Sequence, residues 1–160
     1  MDARDFAEEF LLLEVDGMHK AGVKLHLLAA MLHGIESAGA MLDHLPFKAK
    51  GQGRTRFGMA LKKLFPSQYH LANSQLDLYR VLRSHMSHTM LPAKQVVIHL
   101  DSADYHLVFN GTLLNISLNT FYNDYRCAII SLIEKLDSGK LKNKRIVFDN
   151  LELILNNGKD

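Results

Sequence analysis

The spacing of apolar residues divides the chain into a helical first half, a short β-type region and one further helix. Before Pro92, apolar positions recur three and four residues apart, which is the period of an α-helix. Prolines follow several of these stretches, and a proline stops a helix because it lacks a backbone N–H. The pattern predicts helices over residues 4–18, 23–45, 56–65 and 67–87, with Pro46, Pro66 and Pro92 after the last three.

The second of these helices has an unusual number of small residues. Gly34, Ser37, Ala38 and Gly39 lie among its larger apolar residues. Glycine lowers helix propensity, but a helix without side-chain bulk at such points can approach its neighbours closely. We therefore expect this helix to make close contacts with other helices.

After Pro92 the pattern changes to that of β-strands. Residues 95–100 and 105–109 are rich in β-branched and aromatic residues and are joined by a short polar segment, which predicts a hairpin. Asn110 and Gly111 form a second tight-turn signal, leading into a strand over residues 112–116. The three strands are expected to form a small antiparallel meander on the outside of the helices.

A last long helix follows the strands. Ser117 or Asn119 is a suitable N-cap for it, as Ser67 is for the fourth helix, because their side chains can accept a backbone N–H. The helix continues to about Leu136, and residues 145–155 fit a strand or a helix equally well. The predicted fold is mainly α: one domain over residues 1–160, a helical bundle with a small antiparallel β-hairpin or meander inserted before the last long helix.

Composition agrees with a globular domain. Of the 160 residues, 48% are hydrophobic and 22% charged, so the chain can bury a core and bulk disorder is not expected. Cys127 is the single cysteine and cannot form an internal disulfide; its apolar surroundings predict a buried side chain in a reducing compartment. We find no leader peptide pattern and no apolar run of membrane-spanning length, which predicts a soluble, cytoplasmic protein without a membrane partner.

Positive charge is concentrated in one part of the chain. No acidic residue lies between Asp43 and Asp77, while six cations do. Six cations without intervening anions create a local positive field that attracts phosphate, although a solvated basic face is the more ordinary explanation. We expect this run to be largely exposed and name it as the candidate nucleic-acid-binding set: Lys48, Lys50, Arg54, Arg56, Lys62 and Lys63.

Several kinds of chemistry have no signature in the sequence. The nine histidines show no metal-binding spacing, and His85 with His88 lacks a third ligand nearby. His26 and His33 lie in a helical pattern and are interpreted as packing residues. No phosphate-binding glycine loop or nucleophile motif is present. The sequence therefore predicts neither a metal nor a cofactor.

Arg83 and His88, near the end of the fourth predicted helix, are the candidate reactive pair. An arginine can hold a phosphate with its planar set of donors, and a histidine exchanges a proton near neutral pH. Metal-free RNA cleavage needs both a cation that stabilises charge on the phosphate and a group that transfers a proton. Residues five apart diverge on a regular helix, so the two converge only if the helix ends or bends near Ser87. The alternative is that these cations complement the negative end of the helix dipole.

A resemblance to a known family supports the first interpretation. Residues 78–88, which read Leu-Tyr-Arg-Val-Leu-Arg-Ser-His-Met-Ser-His, resemble the Arg-x(4–6)-His motif of the HEPN superfamily. Residues 35–39, 53–57 and 64–69 also resemble uncharacterised bacterial proteins of HEPN type. The resemblance implies an all-helical core, frequent homodimerisation and a cleft at the dimer interface. In catalytic members that cleft cuts RNA without a metal, which assigns the active residues here to Arg83 and His88.

Two functions of different class follow. The first is a metal-independent RNA endonuclease or RNA-binding protein in which Arg83 and His88 act on the phosphate. Ser84 is the third candidate catalytic residue; it stands where catalytic HEPN members often have a more strongly hydrogen-bonding residue, such as asparagine. The second is a non-catalytic, dimeric helical module that binds or regulates a protein partner, in which the same motif is structural.

Overall fold

The computed structural model of the chain describes residues 1–146, and within them the prediction of a mainly helical protein is confirmed. Helix accounts for 64% of the structure and strand for 10%. Helix α1 comprises Ala3–Phe6, a π-helical segment Ala7–Leu13 and Glu14–Lys20; α2 is Lys24–Leu42, α3 Gly53–Leu64 and α4 Ser67–Leu76. Helix α5 joins a π-helical segment Tyr79–Ser84 to His85–Thr89, and α6 is Leu118–Asp137.

Helix α2 lies at the centre of the core. Its apolar residues Leu28, Met31 and Ile35 are almost completely buried. The expectation of close helix contacts is confirmed, since a Cβ at Gly39 would overlap the Arg56 carbonyl on α3 and one at Gly34 would overlap the Tyr125 hydroxyl on α6. Glycine therefore sets how closely α3 and α6 approach α2.

The prediction of one helix over residues 67–87 is wrong, because the chain turns at Asp77. Asp77 has a left-handed backbone, with φ of 50°. The Asn73 side chain accepts the backbone N–H of Leu78 at 2.9 Å, which gives that donor a partner outside the regular helical ladder. At the other end of α4, Ser67 is the first helical residue and its side chain makes no capping bond.

The sheet lies before the last helix as expected, but its pairing differs. The strands are β1 Val96–His99, β2 Val108–Asn110 and β3 Leu113–Ser117, in the order β1-β3-β2. β3 pairs parallel with β1 and antiparallel with β2, so the predicted hairpin between residues 95–100 and 105–109 is wrong. The turn at Asn110–Gly111 is confirmed. β3 takes the centre because Leu114 and Ile116 point into the core.

Helix α6 closes the described fold. Of the two caps considered for it, Ser117 is the one used, accepting the N–H of Thr120 at 3.4 Å. Cys127 is exposed, which corrects the prediction that it is buried: the buried stripe of α6 includes Tyr125, Ala128 and Ile129, and Cys127 falls on the opposite side. Of residues 145–155, only Arg145 and Ile146 are described, and Arg145 forms a backbone bridge with Asp2.

Helix α2 also corrects the statement that no segment has membrane-spanning length. By length and composition alone it could cross a membrane, with a mean hydropathy of 1.3. The core helix of a globular protein passes the same test, and 61% of this apolar window is buried against the rest of the chain.

The contact of Gly34 with Tyr125 leads to a prediction about packing. A methyl group at Gly34 would overlap the buried hydroxyl of Tyr125, which has no hydrogen-bond partner among residues 1–146. We expect Gly34→Ala to lower the free energy of unfolding by about 1–3 kcal/mol, the usual cost of overpacking. Adding Tyr125→Phe should restore part of that loss. Urea unfolding measures both.

Gly17→Ala is the matched control, because Gly17 lies in α1 with nothing within 4 Å of a built Cβ. We expect it to stabilise the protein by up to about 1 kcal/mol through helix propensity. A Gly34→Ala protein as stable as the wild type would show that α2 and α6 are not held at this distance.

Candidate functional site

Arg83 is held against Glu36, a residue of α2. Arg83 Nε lies 2.5 Å from Glu36 Oε2, and the two side chains are only 22% and 25% exposed. Within the described part of the chain, neither Arg83 Nε nor Glu36 Oε2 makes a hydrogen bond of acceptable direction, so the contact is an ion pair. The arginine is therefore fixed in a partly buried place instead of extending into solvent.

Ser87 and Tyr79 complete the surroundings of Arg83 on α5. Arg83 Nη1 donates to Ser87 Oγ at 3.1 Å, and Ser87 Oγ donates to the Arg83 carbonyl at 2.9 Å. The guanidinium carbon stands 5.8 Å from the centre of the Tyr79 ring, within the range of a cation–π contact. Tyr79, Arg83 and Ser87 are four residues apart and share one face of α5.

A histidine of α2 lies at the rim of the same pocket. His33 Nε2 is 3.5 Å from Ser87 Oγ, and His33, Glu36 and Arg83 line a small pocket of about 120 Å³. Partial burial lowers the pKa of His33, the charge of Arg83 lowers it further, and Glu36 opposes the shift. Because this pKa lies below the ordinary value of about 6.5, the imidazole is neutral at pH 7 and can accept a proton.

His88 does not join this pocket within one chain. Helix α5 continues past Ser87 to Thr89 and ends where Met90 takes a left-handed backbone, so the helix does not bend at Ser87. Five helical residues turn the direction by roughly 140° beyond a full turn, and no contact among residues 1–146 links the exposed His88 to Arg83. Ser84, the third predicted catalytic residue, is half-buried beside them and makes no side-chain hydrogen bond within the same residues.

The basic run divides into one buried residue and five exposed ones. Arg56 is 4% exposed, so its place in an exposed phosphate-binding set is wrong. Its guanidinium contacts Asp43 at 2.6 Å and donates to the carbonyls of Phe47 and Pro46. The exposed members are Lys48, Lys50, Arg54, Lys62 and Lys63.

Sequence reasoning missed His33, Glu36 and Ser87. The helical pattern predicts a packing role for His33, and Glu36 lies in residues 35–39, a segment that resembles HEPN-type proteins, without a predicted role of its own. A signal was available, because His33 and Glu36 are three apart on a predicted helix and so share a face. What the sequence does not contain is the pairing of that face with the face of α5 that carries Arg83.

Comparison with family models, with curated proteins and with solved structures finds no match to this chain. The HEPN resemblance therefore stays a prediction. Within residues 1–146, no three histidine, cysteine, aspartate or glutamate side chains are grouped so that they could hold a metal ion.

A second polar cluster ties the β region to the helices. The Tyr69 hydroxyl donates to Asp124 Oδ2 at 2.8 Å and lies 2.7 Å from His106 Nε2, and the His106 side chain is 3% exposed. Burial lowers the pKa of His106, although the charge of Asp124 opposes the shift, and burial together with Asp124 raises the pKa of Tyr69. The cluster joins α4, α6 and the segment before β2, so it holds the sheet in place.

This cluster predicts how stability depends on pH. His106 has a lower pKa in the folded state than the roughly 6.5 of the unfolded chain, so the unfolded state binds more protons as the pH falls. Its contribution is fully present above about pH 6.5 and is lost as the pH falls toward the folded-state pKa. Urea unfolding at pH values on both sides of 6.5 should show stability falling on the acid side.

His106→Gln keeps a polar atom near the Nε2 position and does not titrate, so its stability should fall less between the same pH values. His26→Gln is the control, because His26 is exposed on α2 and should leave the acid loss unchanged. An acid loss of the same size in His106→Gln as in the wild type would contradict this role.

Proposed function

We propose that this protein is an RNA-binding domain that cleaves RNA without a metal, at the pocket around Arg83. One observation carries the proposal: a fixed arginine and a neutral imidazole, Arg83 and His33, line the same small surface pocket on either side of Ser87. Cleavage requires a cation that stabilises charge on the phosphate and a group that accepts the proton of the 2′-hydroxyl. The motif resembling the HEPN superfamily supports the same function.

In this proposal Arg83 binds the scissile phosphate. Its Nε faces Glu36 and its Nη1 faces Ser87, while Nη2 makes no hydrogen bond among residues 1–146 and can donate to a phosphate oxygen. Tyr79 and Glu36 keep the guanidinium in one orientation, so little side-chain entropy is lost when the phosphate binds.

The proton transfers are assigned to two histidines. His33, neutral at pH 7, accepts the proton of the attacking 2′-hydroxyl. His88, the residue after Ser87, returns a proton to the leaving oxygen. The HEPN resemblance implies a homodimer with the site at its interface, where the partner's His88 would approach Arg83. We propose this dimer as the active form, working in the cytoplasm.

Cleavage of a labelled single-stranded RNA in the presence of a chelator tests the proposal. We expect Arg83→Ala, His33→Ala and His88→Ala each to lower kcat/KM by about a hundredfold or more, the usual scale for a lost proton-transfer or charge-stabilising group. Melting temperatures should change little for His33→Ala and His88→Ala, because His88 is exposed and His33 keeps an exposed surface although the pocket partly desolvates its ring.

His26→Ala is the matched control, an exposed histidine two turns before His33 on the same helix, and it should cleave like the wild type. The lowered pKa of His33 also predicts that the acid limb of the kcat/KM profile lies below pH 6.5. Cleavage that disappears in chelator, or that survives Arg83→Ala unchanged, would exclude this mechanism.

One observation favours the alternative of a non-catalytic interaction module. The Arg83–Glu36 ion pair joins α5 to α2 and can be purely structural. Met90 and Leu91, 45% and 54% exposed at the end of α5, offer apolar surface to a partner. If this alternative is right, the wild type cleaves nothing and Arg83→Ala lowers the melting temperature by several degrees, since it leaves Glu36 partly buried and unpaired.

A further inference from the structure

The pocket around Arg83 has a charge balance that does not by itself attract RNA. Glu36 lies against Arg83, so the two side chains together carry no net charge. Long-range attraction of a phosphate backbone needs uncompensated cations nearby. Arg56 also lines the pocket, but it is buried and paired with Asp43. Exposed cations beside the pocket are therefore the better source of this attraction.

Two arginines beside the pocket share a single carboxylate. Arg54 Nη2 lies 3.1 Å from Asp77 Oδ2, and Arg80 Nε lies 3.9 Å from the same oxygen. The two nitrogens are therefore at most about 7 Å from each other. Two positive charges and one negative charge leave this cluster with a net charge of +1, and Arg80 was not among the cations singled out from the sequence.

The arginines are available to a ligand. Arg54 and Arg80 are 65% and 61% exposed, whereas Asp77 is 33% exposed. An exposed ion pair contributes only about 0–1 kcal/mol, so the guanidinium donors can exchange Asp77 for a phosphate at little cost. Asp77 keeps the Arg54 and Arg80 side chains near each other before the ligand binds, which lowers the side-chain entropy lost on binding.

Gly53, the first residue of α3, connects the arginine cluster to the Arg83 pocket. A Cβ built at Gly53 would lie 2.9 Å from Glu36 Oε1 and would overlap the Tyr79 hydroxyl. Glu36 and Tyr79 both contact the Arg83 guanidinium, and Arg54 is the residue after Gly53. The absence of a side chain at Gly53 thus brings the backbone of Arg54 against the wall of the pocket.

From these contacts we infer that Arg54 and Arg80, held by Asp77, form a second phosphate-binding subsite for a phosphate that flanks the one at Arg83. The inference rests on the proposed RNA cleavage and specifies its substrate: an RNA strand with at least one phosphate beyond the scissile one. A dinucleotide without a terminal phosphate (a dinucleoside monophosphate, NpN) has a single phosphate, so it can fill the Arg83 pocket but not the Arg54–Arg80 subsite as well.

The test compares a dinucleotide with a hexanucleotide RNA in the same cleavage assay. We expect the wild type to cleave the hexanucleotide at least tenfold more efficiently by kcat/KM. The double variant Arg54→Gln with Arg80→Gln should lose that advantage and cleave the dinucleotide as the wild type does. A length advantage that persists in the double variant would overturn the subsite.

The control removes two positive charges elsewhere. Lys20→Gln with Lys24→Gln alters two exposed lysines, one at the end of α1 and one at the start of α2. Lys24 lies about 18 Å along the helix axis from Glu36, twelve residues at 1.5 Å each. We expect this variant to keep the wild-type preference for the longer RNA. If both double variants lose it equally, net charge rather than a subsite explains the effect.

A binding measurement separates the subsite from cleavage. A 2′-O-methyl hexanucleotide cannot be cleaved, and the slope of log affinity against log salt concentration should fall by roughly 0.7 to 1.4 in the Arg54→Gln, Arg80→Gln protein, for one or two lost phosphate contacts. Binding with this slope change but without cleavage of any RNA would overturn the proposed endonuclease and keep the subsite. Cleavage that requires Arg83, with an unchanged slope, would overturn the subsite and keep the endonuclease. Absence of binding would overturn both.

Discussion

The arrangement of the site depends on a buried arginine, Arg56, which lines the pocket but is occupied by protein partners. Arg56 lies under the loop between α2 and α3, where it pairs with Asp43 and donates to the carbonyls of Pro46 and Phe47. Lys144 binds the same carboxylate at 3.0 Å and donates to the carbonyls of Ala40 and Leu45. A buried charge is stable only when it is paired and hydrogen-bonded, and these two cations meet that condition by satisfying carbonyls that the end of α2 and the loop leave without partners.

This network determines where α3 begins. With Arg56 held against Asp43 and its carbonyl packed on Gly39, the first turn of α3 lies across the second half of α2. Gly53 then reaches Glu36, and Arg54 reaches Asp77. Arg56, which the sequence predicts to bind nucleic acid, thus stabilises the framework. Its removal would displace Arg54, the neighbouring cation that remains available for a ligand.

The helices were predictable because their signals are local. Period, proline positions and the Ser117 cap all act within a few residues, so the sequence alone located α1, α2, α3 and α6. The sheet was not predictable in the same way, because the parallel pairing of β1 with β3 joins strands separated by the 103–105 turn and β2 and is selected by burial of Leu114 and Ile116. The break at Asp77 depended on one side-chain contact from Asn73, which competes with the helical pattern.

For the site, the sequence identified Arg83 but not its partners. The reason is geometric: Glu36 and His33 approach Arg83 only because α5 packs on α2, and no spacing within the motif contains that contact. The π-helical segment Tyr79–Ser84 adds a further constraint, because its wider turn still keeps Tyr79, Arg83 and Ser87 on one face. His88 is turned away from that face by roughly 140°. Any chemistry that uses both Arg83 and His88 therefore requires a substrate that reaches around α5 or a second copy of the chain. Arg83 and His33, in contrast, can act on the same substrate within a single chain.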